Sequence, residues 1–331
     1  SFDVHVNAFA HIEAHRGHTS LTEFEFSTLA ALQIFAERSL DFIIMEVGMG
    51  GREDSTNIVN PSISVITTID IDHRAFLGSD RESIGYQKAG IFRADIPAIV
   101  GDFNIPQTVL AYANELGTSM VCANQDFSFT ESQHHWCWQS GLDKLEQLVP
   151  TSIPLQNVST ALATLQQLHV DLDRDAINQV LSTLVVEGRL QQISDSPRII
   201  VDVAHNLESA GYLARQLAMF REQGASDIIG VVGMLKDKDI EGVLSKVGPE
   251  VSSWYLADLS TPRGAKAADL AQALEKHQNS PHSCYDSVAK ALEQAIEQVR
   301  EQVKAHSQQE PLIIVFGSFY TVAEVLAITN H

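Results

Sequence analysis

Two residues of opposite chemical character close apolar runs in the first quarter of the chain: Glu46 at the end of LDFIIMEV and His73 just after SVITTIDID. A continuous apolar run of this kind reads as a buried strand, and in an open α/β sheet such a strand delivers the residue at its carboxyl end to the ligand crevice. The second run brings His73 to the same edge. After Glu46 comes the loop GMGGREDSTN, in which Gly48, Gly50 and Gly51 free backbone amides for close approach to a ligand. A carboxylate and an imidazole at neighbouring strand ends, beside such amides, suit a divalent cation carrying phosphate oxygens. Nucleotide chemistry is the first expectation. Asp70 and Asp72 read as solvated loop carboxylates, with Asp72 placed to orient His73.

The elements that must position these groups alternate along the chain. After an opening loop, TEFEFSTLAALQIFAERS repeats Phe24, Leu29, Leu32 and Phe35 near helical spacing, and Thr22 with Glu25 has the pattern of a capping box. The strand IPAIVGD, a helix from near Pro106, and β-like alternation around MVCANQDFSFTESQHHWCWQS follow, the last a hairpin or small appended sheet. Helices are expected from near Asn157, which itself reads as a cap, and through DAINQVLSTL. Beyond the VEGRLQ turn come the strands RIIVDVAHN, SDIIGVVGM, SSWYLAD and PLIIVFGS, separated by the helices ESAGYLARQLAMF, AKAADLAQALEKH and SVAKALEQAIEQVREQV. Such alternation predicts a mostly parallel sheet with right-handed crossovers. Two domains are expected, residues 1–190 and 191–331, each large enough to bury a core.

Composition narrows the function classes. A hydrophobic content of 44% argues against disorder, and a formal net charge of -20 opposes sequence-independent binding to nucleic acid, which needs a basic surface. Any ATP site must be a local basic island. Cys122, Cys137 and Cys284 lack the paired short spacing of a zinc site and read as reduced thiols of a cytoplasmic protein. No apolar run approaches the roughly 20 residues that span a bilayer, and no signal peptide is visible, so no membrane partner is expected. His11, His15 and His18 have metal-like spacing without an oriented partner. HHWCW, from His134 to Trp138, reads as a hairpin with amphipathic side chains, and the run from Glu293 to Gln302 as a solvated helix face.

Taken together, EVGMGGREDSTN, the DH followed by LG, QKAGIF, GRLQ, DVAHN, GMLKDKD, RGA and FGSFYTV resemble, in order and spacing, the folylpolyglutamate synthase family in its bifunctional bacterial dihydrofolate synthase form. The resemblance covers essentially the whole chain. It implies a Mur-ligase-like α/β fold: a P-loop ATPase-type domain, here incomplete, followed by a smaller Rossmann-like domain. No G-x-x-x-x-G-K-[ST] occurs and the chain opens at Ser1, so the expectation is a family member without its first, phosphate-binding portion, weak in ATP binding by itself.

The resemblance also assigns residues. Glu46 and His73 would hold magnesium, in a site with a second ion, and Lys88 would be carbamylated, turning an ammonium into an anionic oxygen ligand. Thr22, Glu23, Phe24 and Glu25, with Glu53, Asp54 and Ser55, would bind dihydropteroate, Phe24 offering an aromatic face and Asp54 accepting from the pterin edge. Asn157, Arg189 and Asp202 would bind ATP; His205 and Ser318 would touch L-glutamate. The implied reaction phosphorylates a pteroate or folate carboxylate and passes it to the glutamate amine, in a monomer whose two domains close on the site. Alternatives are a Mur-type peptidoglycan ligase and a noncatalytic binding module.

Overall fold

The computed structural model describes residues 2–71, 74–132, 134–305 and 311–329. Within it the chain divides into two compact units, residues 1–150 with 154–182, and residues 151–153 with 183–331. The VEGRLQ turn falls in the second unit, shortly after its start at Thr183.

The first unit opens with a helical pair, α1 (Phe2–His15) and α2 (Glu23–Ala36), joined through Ala8, Ile12 and Ala30. The opening segment is thus helix, not loop. Further on come β1 (Ser64–Ile66), α3 (Arg74–Leu77), α4 (Arg81–Ala89), β2 (Ala98–Val100), α5 (Gln107–Leu116) and β3 (Met120–Cys122). The strands form a parallel sheet in the order β1-β2-β3. Ile66, Ala98, Val100 and Cys122 from this sheet pack with Ile84 and Val109 from α4 and α5. Burial raises the Cys122 thiol to about 11, which makes it an unreactive core residue.

Next, β4 (Phe127–Glu131), β5 (Trp136–Ser140) and β6 (Asp143–Leu148) build an antiparallel sheet. Trp136 and Trp138 are buried, with Trp138 donating from Nε1 to the Ser159 carbonyl at 3.2 Å. HHWCW is therefore a core hairpin. The unit closes with α6 (Leu155–Gln167) and α7 (Arg174–Thr183). Asn157 lies in the first turn of α6, whose N-cap is Pro154, so the expected cap role falls to another residue.

LDFIIMEV departs from expectation. No strand forms there, and Leu40, Phe42, Ile43 and Ile44 are exposed, Ile44 at 83%. A strand exists by pairing and by burial of its faces. Here the apolar run meets neither condition.

The second unit holds β7 (Gln191–Asp195), β8 (Arg198–Asp202), α8 (Leu207–Glu222), β9 (Ile228–Val232), α9 (Ile240–Val247), β10 (Ser253–Ala257), α10 (Ala267–Glu275), β11 (His282–Tyr285), α11 (Val288–Ala305), β12 (Leu312–Phe316) and α12 (Phe319–Thr329). Its sheet runs β11-β10-β9-β12-β8-β7, parallel except for the β7 edge. Alternate residues of each strand face opposite layers. Ile200, Val232, Leu256 and Ile314 meet Leu213, Leu244 and Leu270 of α8, α9 and α10, while Val201, Val231 and Val315 meet Ala291, Leu292 and Val325 of α11 and α12. Strands apolar on both faces are what a sheet covered on both sides requires. Among the described residues no helix is long and apolar enough to cross a membrane.

Candidate active site

The glycine loop gains its shape from contacts that only glycine permits. A β-carbon on Gly51 would stand 3.0 Å from the Lys88 carbonyl and 3.1 Å from that of Gln87, and its φ of +152° is strained for any side chain. The loop is thereby laid against the last turn of α4, which carries the half-buried Lys88. α4 is itself fixed at its start: Asp80 caps it through the Ser83 amide, and Glu82 accepts from the amides of Gln107 and Thr108 at the head of α5. Those amides hold the Glu82 carboxyl below its ordinary range. Arg81 pairs at 2.8 Å with Asp102, a buried carboxylate just past β2 that also accepts from the Ile69 amide at 2.7 Å. Asp102 thus pins the chain immediately before Asp70.

Asp54 organises the loop beyond the glycines. One carboxylate oxygen accepts from the Met49 amide at 2.9 Å, and the other from the amide and hydroxyl of Thr56. It caps the short 3-10 turn Ser55–Ile58. Ser55 reaches across to Thr28 on α2, hydroxyl to hydroxyl at 2.9 Å. At the head of α2 the capping box is complete: Thr22 accepts from the Glu25 amide, and Glu25 accepts from the Thr22 amide at 2.7 Å. That amide holds the Glu25 carboxyl below its ordinary range. Glu23 is exposed on the same turn.

These two segments face one cleft of about 400 Å³, lined by Glu25 and Thr28 of α2 and by Arg52, Glu53, Asp54 and Ser55 of the loop. The sequence reasoning missed Thr28, Arg52 and Asp102. Thr28 follows Phe24 at helical spacing, and Asp102 obeys the same strand-end rule applied to Glu46, so both had a signal. Arg52 had none, because its partners come from α4 and α5: its guanidinium carbon lies 4.1 Å from the Tyr86 ring centre and 4.5 Å from that of Tyr112.

The metal residues fare unevenly. Glu46 is exposed in irregular backbone ahead of Gly48, and His73 and Asp72 lie outside the described residues. Among the described residues no three His, Cys, Asp or Glu side chains converge. Glu46 supplies a hard oxygen donor, which fits magnesium better than a softer ion. The His11 and His15 rings stack on each other at 4.2 Å, and His15 Nδ1 bonds the His11 carbonyl at 2.7 Å.

In the second unit, Asp202 ends β8 with its carboxylate buried, accepting from the amides of Leu190 at 2.9 Å and Ala204 at 2.8 Å. Burial pushes it above the ordinary carboxylate range, against the pull of those amides and of Arg189. The Arg189 guanidinium is exposed at 5.7 Å from the Phe319 ring, which also neighbours the His205 ring at 6.2 Å. Ser318 is buried and spent on capping α12, its hydroxyl meeting that of Thr321 at 2.8 Å and accepting from the Thr321 amide. Arg189, Asp202, His205 and Ser318 therefore gather at the carboxyl edge of this sheet, the ligand edge of an open α/β fold. Asn157 is exposed on α6 of the first unit.

A glycine loop on a buried helix end, followed by a parallel-sheet unit with its polar residues at the strand ends, fits a ligase of the Mur type, and the family matches make it one. Residues 5–135 match the Mur ligase middle domain family and residues 188–319 the Mur ligase glutamate ligase domain family. The chain is 40% identical to the dihydrofolate synthase/folylpolyglutamate synthase of Escherichia coli K12, over 98% of its own length and 74% of that protein. It belongs to the dihydrofolate synthase/folylpolyglutamate synthase family. The solved structure of E. coli FolC in complex with DHPP and ADP is similar at a TM-score of 0.89 and 39% identity, covering 99% of this chain and 75% of that one. The bifunctional enzyme of Yersinia pestis, complexed with AMPPNP and Mn, is similar at 0.89 and 42%, covering 100% and 77%.

Proposed function

We propose that the chain performs the ATP-dependent ligation of L-glutamate to dihydropteroate and to tetrahydrofolates, as a cytoplasmic monomer. The observation that carries this reading is the cleft in which the head of α2 and the loop after the glycines present Glu25, Asp54 and Ser55 together, with the Phe24 ring resting beside them on Gly48. A pterin offers adjacent ring and amino donors and a flat π face; carboxylates and an aromatic ring are its complements. Glu53 lines the same cleft, and Thr22 and Glu23 stand with Glu25 at the head of α2.

Arg189 and Asp202 take the nucleotide in the second unit, Arg189 as a planar cation for phosphate oxygens. His205 and Ser318 serve the incoming glutamate. Glu46 and His73 would hold magnesium, which when bound neutralises phosphate charge as an incoming carboxylate approaches. Lys88, as its carbamate, would add an anionic oxygen donor where an ammonium would repel a cation. The residue ranges 1–190 and 191–331 then correspond to an ATPase and pteroate part and a glutamate-ligase part. With the carboxylate phosphorylated, the α-amine of glutamate attacks the carbonyl and phosphate leaves.

Transfer of isotopically labelled oxygen tests this sequence of events. A label placed in the dihydropteroate carboxylate is expected in the released inorganic phosphate. Label that leaves the carboxylate in water, with none in the phosphate, would rule the acyl phosphate out.

A further inference from the structure

Arg52 has an unusual environment for a cation. Its guanidinium is flanked by two aromatic rings, Tyr86 of α4 at 4.1 Å and Tyr112 of α5 at 4.5 Å, and those rings meet edge to face at 6.0 Å. Its Nε is buried with no hydrogen-bond partner, and its remaining edge contact is Nη2 to the Tyr86 carbonyl at 3.4 Å. The guanidinium is therefore seated in the corner that the two rings make, a contact that suits a planar delocalised cation.

The backbone of the same residue is tied to the helix that carries Lys88. The Arg52 amide donates to the Gln87 carbonyl at 2.9 Å. Its Cα and Cβ press on Gly90, leaving no room for a side chain there. Asn57 closes the joint by donating to the carbonyls of both Arg52 and Gly90, at 3.1 and 3.0 Å. On its other flank Arg52 lines the 400 Å³ cleft as the one cation among its described lining residues, beside Glu25, Glu53 and Asp54.

We infer that Arg52, seated in the corner of Tyr86 and Tyr112, is a positioning residue: it sets the distance between the cleft loop and the end of α4, and so between the bound pteroate and Lys88. The inference rests on the functional reading above. A seating of this kind acts on turnover, because misplacement of reacting groups costs rate while the nucleotide, bound elsewhere, is unaffected.

The test compares the intact native enzyme with R52K, Y86L and Y86F in steady-state kinetics with dihydropteroate, L-glutamate and Mg-ATP. R52K keeps the charge and loses the plane, so kcat is expected to fall about tenfold with KM for Mg-ATP unchanged. Y86L reproduces the loss, Y86F restores the rate, and R52K/Y86L falls no further than R52K alone. Native kcat in R52K overturns the inference, as does a defect spread equally over KM for Mg-ATP and the thermal midpoint. Amide exchange at residue 52 and Gly90 judges the seating without any turnover: faster exchange in R52K supports it and unchanged exchange refutes it. An enzyme with no dihydropteroate-dependent ADP release but with that faster exchange would defeat the functional reading alone.

Discussion

The tip of the Phe24 ring rests on Gly48: Cζ and Cε1 lie 2.7 and 2.9 Å from the point where a β-carbon of Gly48 would stand. Helix α2 and the glycine loop thereby touch through a contact that a side chain at Gly48 would make only by moving the ring. Phe24 is 45% exposed, so its ring is both seated and available.

Two substitutions separate seating from presence. F24A removes the face and is expected to raise KM for dihydropteroate about tenfold, within the ~1–3 kcal/mol that stacking a base on an aromatic ring contributes. G48A leaves the ring but swings it aside, raising the same KM several-fold with little loss of thermal stability, since the displaced atoms are the free end of a side chain. Isothermal titration with dihydropteroate reads both; equal affinity in F24A and the native enzyme would remove Phe24 from the site.

E46A and H73A are expected to lower kcat about a hundredfold or more, each removing a donor for the metal while leaving the fold intact. K88A should behave alike and regain part of its activity when a small carboxylic acid such as acetate is added, which replaces the missing oxygens. Near-normal turnover of K88A without additive would dispose of the carbamate.

Asp202 links pH to the stability of the second unit. Its folded pKa is raised, chiefly by burial, above the unfolded value near 3.8. The folded state therefore binds the proton more tightly. The associated stability is full below that unfolded value and is lost as pH rises through the folded one. D202N should flatten this dependence from 3.8 upward. Amide exchange at Leu190 and Ala204 across that range is the measurement, and an unchanged slope in D202N would assign the effect elsewhere.

The parts of the molecule legible in the sequence are those whose cause is local or periodic. RIIVD, DIIGVV and LIIVF are apolar on both faces because helices cover both faces of their sheet, and their order along the chain reveals the parallel topology. Thr22 and Glu25 declare the start of α2 by a four-residue pattern. Where pairing decides, the sequence is silent: the edge strands QQISD and HSCY carry too little apolar signal to be seen, and LDFIIMEV carries it without forming a strand. Arg52 illustrates the same limit within the site. Nothing in GGREDS announces two tyrosines from α4 and α5, because the corner they make exists only once three separate segments have met.

The substrate dependence of ADP release tests the central claim most directly. With Mg-ATP and L-glutamate present, the intact native enzyme is predicted to release ADP when dihydropteroate is added, with dihydrofolate as the product by mass. Release that ignores dihydropteroate and responds to a UDP-linked muropeptide would contradict the assignment and make the protein a peptidoglycan ligase.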